Sequence, residues 1–283
     1  MAFRHLLIAS PHDYDSEELL NETNYSKIYK AYDNATERTV CIKTIDMRIF
    51  DGVDISAFSD IAKTPQEYIQ NELKTMTMLS EETTHIPCLL DSMYDEANRT
   101  YYIVMQYCGG KPFRDAMDEV LAIPFLKYML TLCDILKVMH GKNLYHKDIK
   151  PENLRLSVGD ELMLLDFNTS LSAPNLYEGT PGYQAPEMYL DNFTARRDCV
   201  DVFAIGIMMY EYFGKVLPKI NEDYYISGTA WGEFIKPSKQ PNALPFAKYV
   251  DELIMKCLAF NPEERHTLAS LKRALLAVTA GKK

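Results

Sequence analysis

The sequence predicts an α+β fold in two lobes, a small β-rich N-lobe with one helix and a larger, mainly α-helical C-lobe. Three observations carry this. The first hundred residues favour strands, the residues after about 125 favour helices, and the change between them falls at the Cys-Gly-Gly-Lys-Pro break of residues 108–112. The expected division is 1–108 and 109–283, with a hinge at about 105–108. Two lobes imply a cleft between them, a common place for a ligand. An apolar content of 47 % over 283 residues is ample for a buried core.

The elements follow in chain order. Residues 28–32 and 38–45, around the turn residues Asp33 and Asn34, alternate as a hairpin that sets Cys41, Lys43 and Ile45 on one side. Thr64-Pro65-Gln66-Glu67 supplies an N-cap, a proline at the first helical position and a glutamate at the third, which together open a helix. Ile69, Leu73, Met76 and Leu79 recur along it at helical spacing, and Glu72 lies on the same stripe. A carboxylate on an inward face needs a cation, and Lys43 is the candidate. Residues 101–107 read as a strand and 125–140 as a helix. Residues 154–156 and 162–165 form a short strand pair around Gly159 and Asp160. Residues 200–213 make an almost wholly apolar helix carrying Asp201, with further helices at 247–258 and from 268 towards the C-terminus.

Composition narrows the function. Thirty basic against forty acidic side chains leave a net charge of −10, which argues against nucleic acid or anionic membrane as the main partner and favours basic peptides. The six cysteines are scattered without a Cys-x-x-Cys pair, as reduced core thiols of a cytoplasmic protein are. The first 16 residues show no signal-peptide pattern, and the longest apolar run, residues 203–210, is too short to cross a bilayer.

The chemistry concentrates in residues 144–154, Leu-Tyr-His-Lys-Asp-Ile-Lys-Pro-Glu-Asn-Leu, and in Asp166-Phe167-Asn168. One short segment carries a proton acceptor (Asp148), a cation (Lys150) and a metal ligand (Asn153), and Asp166 adds a second carboxylate. Phosphoryl transfer needs such a set, because its chemistry is mostly positioning and charge neutralisation.

These motifs resemble the catalytic loop and metal motif of the eukaryotic-type Ser/Thr protein kinase superfamily, and the resemblance extends over about residues 16–275. It implies ATP and Mg²⁺ as cofactors and a protein or peptide as substrate. Asp148, Lys150, Asn153 and Asp166 are then the catalytic residues, with Asn153 and Asp166 holding the metal. Val40-Cys41-Ile42-Lys43 is similar to the strand whose Lys holds the nucleotide phosphates, and Glu72 to its helix partner. Met105 falls at the gatekeeper position and Gln106 to Cys108 at the hinge; Ile28, Cys41 and Arg155 complete the expected nucleotide surroundings. Gly179-Thr180-Pro181-Gly182-Tyr183-Gln184-Ala185-Pro186-Glu187 is like the end of a kinase activation segment, with Glu187 expected to pair with Arg265. Asp201 matches the residue that anchors the catalytic-loop backbone, and His146 is expected to support that loop from the core. Lys150 with Thr180 matches Ser/Thr specificity. Glu152 and Glu211 match positions that meet an Arg upstream of the acceptor, which implies basic substrates.

Departures cluster around the nucleotide. Residues 21–26, Asn-Glu-Thr-Asn-Tyr-Ser, lack every glycine of the family's phosphate loop, and Asn168 replaces the glycine of the metal motif. Arg155 stands where the family has an apolar floor beneath adenine, on a strand that offers it no evident partner, so Arg155→Leu is expected to tighten ATP binding. Active Ser/Thr kinase is one reading of the whole; the alternatives are a pseudokinase scaffold with weak or no nucleotide binding, and small-molecule phosphotransfer on the same fold. Thr169, Ser170, Ser172 and Tyr177 are candidate phosphorylation sites, with Lys147 as the cation to receive the phosphate.

Overall fold

The computed structural model describes residues 13–23, 26–55, 64–170, 179–188, 198–218, 235–245 and 248–281. The chain divides into two compact units between Gly109 and Gly110.

The first unit is built on a five-stranded antiparallel sheet of β1 (Tyr14–Glu22), β2 (Ser26–Asp33), β3 (Arg38–Asp46), β4 (Leu89–Asp95) and β5 (Thr100–Gln106), in the order β1-β2-β3-β5-β4. Strand β3 buries both faces, as the run Val-Cys-Ile-Lys-Thr-Ile requires. Val40 and Ile42 pack with Ala31, Tyr102 and Val104 on one side. Ile45 packs on the other with Ile103, Tyr101 and the helix residues Ile69 and Leu73. That helix, α1 (Pro65–Ser80), starts as its sequence signals: the Thr64 side chain accepts from the Glu67 N–H at 3.2 Å, and the proline fills the first turn, where its missing N–H costs nothing. Glu72 is buried on the inward stripe with Ile69, Leu73, Met76 and Leu79.

Strand β1 ends at Glu22 and β2 begins at Ser26, with no glycine in the sequence between them. The Thr23 N–H donates to the Ser26 carbonyl at 2.8 Å, and the Ser26 N–H returns to the Thr23 hydroxyl at 3.0 Å. Thr23 is thus tied to Ser26, while Asn24 and Tyr25 lie outside the described residues.

The second unit packs α3 (Ala122–Gly141), α4 (Cys199–Gly214), α5 (Lys248–Cys257) and α6 (Leu268–Thr279) around a shared core, preceded by the short α2 (Phe113–Met117). Nearly every residue of α4 is buried, so its apolar sequence reflects a helix surrounded by protein. Phe125 of α3 stacks on Tyr212 of α4 at 3.8 Å between ring centroids. Gly206 lets α4 approach the end of α5, since a Cβ there would lie 2.6 Å from that of Cys257. A three-stranded sheet, β6 (Lys111–Pro112), β7 (Leu154–Leu156) and β8 (Leu162–Leu164), lies beside these helices and carries the catalytic segment into β7. Among the described residues no helix is long and apolar enough to cross a membrane.

Candidate active site

In the first unit the strand register gathers the nucleotide candidates. Ile28 lies opposite Lys43, and Cys41 opposite Met105, so these four share the face of the sheet that carries Ile45 and Ile103. Lys43 is 5 % exposed, and its ammonium donates to both carboxylate oxygens of Glu72, at 2.8 and 3.1 Å. The predicted pair is formed, with α1 held against β3. Gln106 sits differently. Its side chain is exposed, the opposite residue is Val40, and its backbone N–H donates to the Cys88 carbonyl at 2.9 Å. Its backbone carbonyl lies 3.8 Å from the Cys108 thiol. Cys108 is half-buried, with its thiol directed at that carbonyl.

In the second unit the catalytic segment leaves α3 and turns through residues 144–153. Asp201 of α4 holds that turn in place: its two oxygens accept the backbone N–H groups of His146 at 3.0 Å and Lys147 at 2.8 Å, and His140 bonds it at 2.8 Å. Burial alone would raise the pKa of Asp201, but these bonds outweigh it and hold the carboxyl below its ordinary range. His146 is fully buried. Its Nδ1 accepts from the Asp148 N–H at 3.3 Å, which leaves Nε2–H to donate to the Leu165 carbonyl at 3.0 Å. It supports the loop, as expected. Lys147 has a φ of 66° and Asp166 of 65°, left-handed backbone at two non-glycine residues flanking the chemistry.

Asp148 is the centre of a small network. Its Oδ1 accepts the Thr180 hydroxyl at 2.7 Å, and its Oδ2 accepts the Asn153 side-chain nitrogen at 2.9 Å. Lys150 stands 3.0 Å from Oδ2 and donates to the Thr180 hydroxyl at 2.5 Å. With its nitrogen committed to Asp148, the Asn153 side chain presents a carbonyl oxygen, a ligand for a hard cation. Asp166 is half-buried and follows β8. Among the described residues no group of three His, Cys, Asp or Glu side chains is arranged to hold a metal by itself. An Asn–Asp pair of oxygen ligands suits Mg²⁺, which usually keeps one or two protein ligands and completes its shell with phosphates and water.

Three expectations are corrected. Arg155 is half-buried between the buried Leu154 and Leu156, as the strand alternation requires, but it has a partner: its guanidinium donates to the Gly110 carbonyl at 3.1 Å. That carbonyl belongs to the segment entering β6, which pairs with β7, and Gly110 is confined to glycine because a Cβ would come within 1.9 Å of the Leu156 oxygen. Glu152 and Glu211, expected to await a substrate Arg, are both bonded to Arg114 of the same chain. Thr169 and Ser170 are 7 % and 1 % exposed, the Thr169 hydroxyl donates to the His146 carbonyl at 2.7 Å, and Lys147 is 3 % exposed. Thr169, Ser170 and Lys147 are packed within the loop. Ser172 and Tyr177 lie outside the described residues.

The architectural pair is formed. Arg265 is 3 % exposed and forks onto both oxygens of Glu187, one bond measuring 2.6 Å. It also donates to the carbonyls of Ala259 and Phe260 at 2.7 and 2.9 Å. Such complete satisfaction is what makes a buried guanidinium tolerable.

The sequence profile of the protein kinase domain matches residues 14–275, so the chain belongs to the protein kinase family. The chain is similar to the serine/threonine-protein kinase PksC of Streptomyces coelicolor, with 29 % identity over 92 % of this chain and 48 % of that protein. It is similar also to CBL-interacting serine/threonine-protein kinase 10 of Arabidopsis thaliana, at 28 % over 92 % of this chain and 53 % of the relative. Aurora/IPL1-related protein kinase 2 of Caenorhabditis elegans is 33 % identical over 60 % of this chain and 56 % of its own length. The chain thus spans about half the length of the curated relatives it matches.

Proposed function

We propose that the chain transfers the terminal phosphoryl group of ATP to Ser or Thr hydroxyls of a protein substrate. The observation that carries this reading is the Thr180 hydroxyl, seated 2.7 Å from Asp148 Oδ1 and 2.5 Å from the Lys150 ammonium. The site accepts an aliphatic hydroxyl as donor to a carboxylate, with a cation at the same oxygen. A substrate hydroxyl in an equivalent relation would give its proton to Asp148 as its oxygen bonds to the γ-phosphorus, the bond from that phosphorus to the bridging oxygen would break with ADP leaving, and Lys150 would face the transferred oxygens. Lys43, fixed by Glu72, would hold the nucleotide phosphates, and Asn153 and Asp166 would hold Mg²⁺. When bound, Mg²⁺ supplies charge neutralisation of the phosphates.

Protein substrates with basic surfaces are part of the proposal, since a net charge of −10 favours their encounter at long range. So is a reducing, cytoplasmic setting, supported by six cysteines without a disulfide. A pseudokinase scaffold is the second reading, favoured by the glycine-free sequence between β1 and β2, joined at Thr23 and Ser26. The deciding experiment is Mg²⁺-dependent phosphorylation of the protein itself and of a generic basic protein, with Asp166→Asn as control. Incorporation by the wild type that the variant loses supports the kinase reading. No incorporation by either protein favours the scaffold.

A further inference from the structure

Arg114, in α2, gathers side chains from three other parts of the second unit. Its Nε donates to Glu152 Oε1 at 2.7 Å, one terminal nitrogen to Glu211 Oε1 at 2.5 Å, and the other to the Tyr183 hydroxyl at 2.8 Å. Tyr183 in turn donates to Glu211 Oε2 at 2.6 Å. Every nitrogen of the guanidinium is engaged. The side chains of Arg114, Glu152 and Glu211 are 33, 49 and 15 % exposed, so the cluster is open to a macromolecule at the surface. Burial works against the charge on Arg114, but its bonds to Glu152 and Glu211 prevail and keep its pKa above the ordinary value. Burial and Glu211 likewise raise the Tyr183 phenol. Arg114 and Tyr183 therefore both keep their protons near neutral pH.

Its place beside the chemistry gives it a role. Glu152 lies in the turn Pro151–Asn153, immediately after Lys150. The Tyr183 N–H donates to the carbonyl of Thr180, whose hydroxyl touches Asp148. A peptide with its acceptor hydroxyl at Asp148 has its neighbouring residues close to Glu152, Tyr183 and Glu211. Two carboxylates and a phenol at that position would make a guanidinium site for an incoming basic residue. Here the guanidinium is already present.

We propose that Arg114 is a specificity-determining residue: it fills from within the chain the acidic subsite that would otherwise select an Arg or Lys near the acceptor, so substrates are chosen without one. The proposal rests on the kinase reading of Asp148 and concerns the residues adjoining the acceptor, not the long-range attraction of basic proteins.

The test compares Ser-containing peptides that differ only by Arg or Ala at each position before the acceptor. The readout is the ratio of kcat/KM for the Arg and Ala members of each pair. Wild type should give ratios within about twofold of one. Arg114→Ala should favour Arg by about tenfold or more at one position, corresponding to about 1.4 kcal/mol. Arg114→Lys, which keeps the charge, should behave as wild type, and the triple variant Arg114→Ala, Glu152→Gln, Glu211→Gln should lose the acquired preference. Arg114→Gln replaces Arg114→Ala where thermal unfolding shows the latter misfolded. A tenfold Arg preference already present in wild type, or none in the folded variants, overturns the proposal. If no protein phosphorylates any peptide, the kinase reading fails, and fluorescence anisotropy with the same peptides decides this one alone. A tenfold gain in affinity for the Arg peptide on loss of Arg114 supports it, and unchanged affinity overturns it.

Discussion

Thr180 donates its hydroxyl to Oδ1 of Asp148 at 2.7 Å, while Asn153 donates to the other oxygen of the same carboxylate at 2.9 Å. Both oxygens of the proposed base are therefore oriented by the protein before any substrate arrives. Asp148→Asn keeps the shape but cannot accept the substrate proton, so turnover should fall by at least about 10² with nucleotide affinity nearly intact. Asp166→Asn should weaken Mg²⁺-dependent nucleotide binding as well. Steady-state kinetics together with calorimetric titration separates the two, and undiminished turnover in Asp148→Asn removes that residue from the chemistry.

Glu72 and Lys43 form an ion pair whose side chains are 3 % and 7 % exposed. Removing one partner from such a site leaves a charge without its carboxylate in a poorly solvated place, which costs about 3 kcal/mol or more. Glu72→Gln should lower the unfolding free energy by that amount, and Lys43→Met with Glu72→Leu should recover much of it, because two apolar groups of similar volume need no compensation. Denaturant titrations of the single and double variants check this. If Glu72→Gln unfolds like wild type, the pair contributes nothing to the first unit's stability.

The Gly110 carbonyl changes the expectation for Arg155. A charge-assisted hydrogen bond of 3.1 Å is lost in Arg155→Leu, along with a tie between β7 and the segment entering β6. The anticipated tightening should not occur: Mg-ATP affinity of the variant should equal that of wild type or fall by less than about tenfold. Calorimetric titration showing tenfold tighter binding would restore the picture of an unsatisfied charge beneath the base.

The boundary between what was legible and what was not follows sequence separation. The N-cap at Thr64, the inward stripe of α1 and the alternation around Lys43 are local patterns, so the Lys43–Glu72 pair could be read without coordinates. Within the loop, the bonds that join Asp148 to His146 and to Asn153 span two and five positions and are local in the same way, whereas its ties to Asp201 and Thr180 are not. Strand β1 escaped because its polar sequence, Tyr-Asp-Ser-Glu-Glu-Leu-Leu-Asn-Glu, hides its alternation behind two irregularities in register. Arg114 escaped because its carboxylates lie 38 and 97 residues away, and nothing in Phe-Arg-Asp-Ala-Met points to either. Glu152 and Glu211 are the one signal in the sequence, since two carboxylates at a shared position call for a cation, which this chain supplies itself. Arg155 escaped likewise, as its partner is a backbone carbonyl 45 residues earlier.

His266 precedes the N-cap Thr267 of α6, and its Nδ1 lies 2.9 Å from the Ser270 hydroxyl. Burial, helped by the charge of Lys256, lowers its pKa from 6.5 to about 4. The folded chain therefore holds this imidazole neutral over a range where the unfolded chain protonates it. With more protons bound in the unfolded state, stability rises with pH across that range. The contribution is complete above about 6.5, is lost as the pH falls towards 4, and changes no further below. His266→Gln cannot titrate, so the difference in unfolding free energy between wild type and variant should be constant above pH 7 and should shift against wild type as the pH falls to 4.5. Urea titrations at half-unit steps of pH measure it directly, and a difference that stays constant from pH 7 to 4.5 would show that His266 protonates as readily in the folded chain as in the unfolded one.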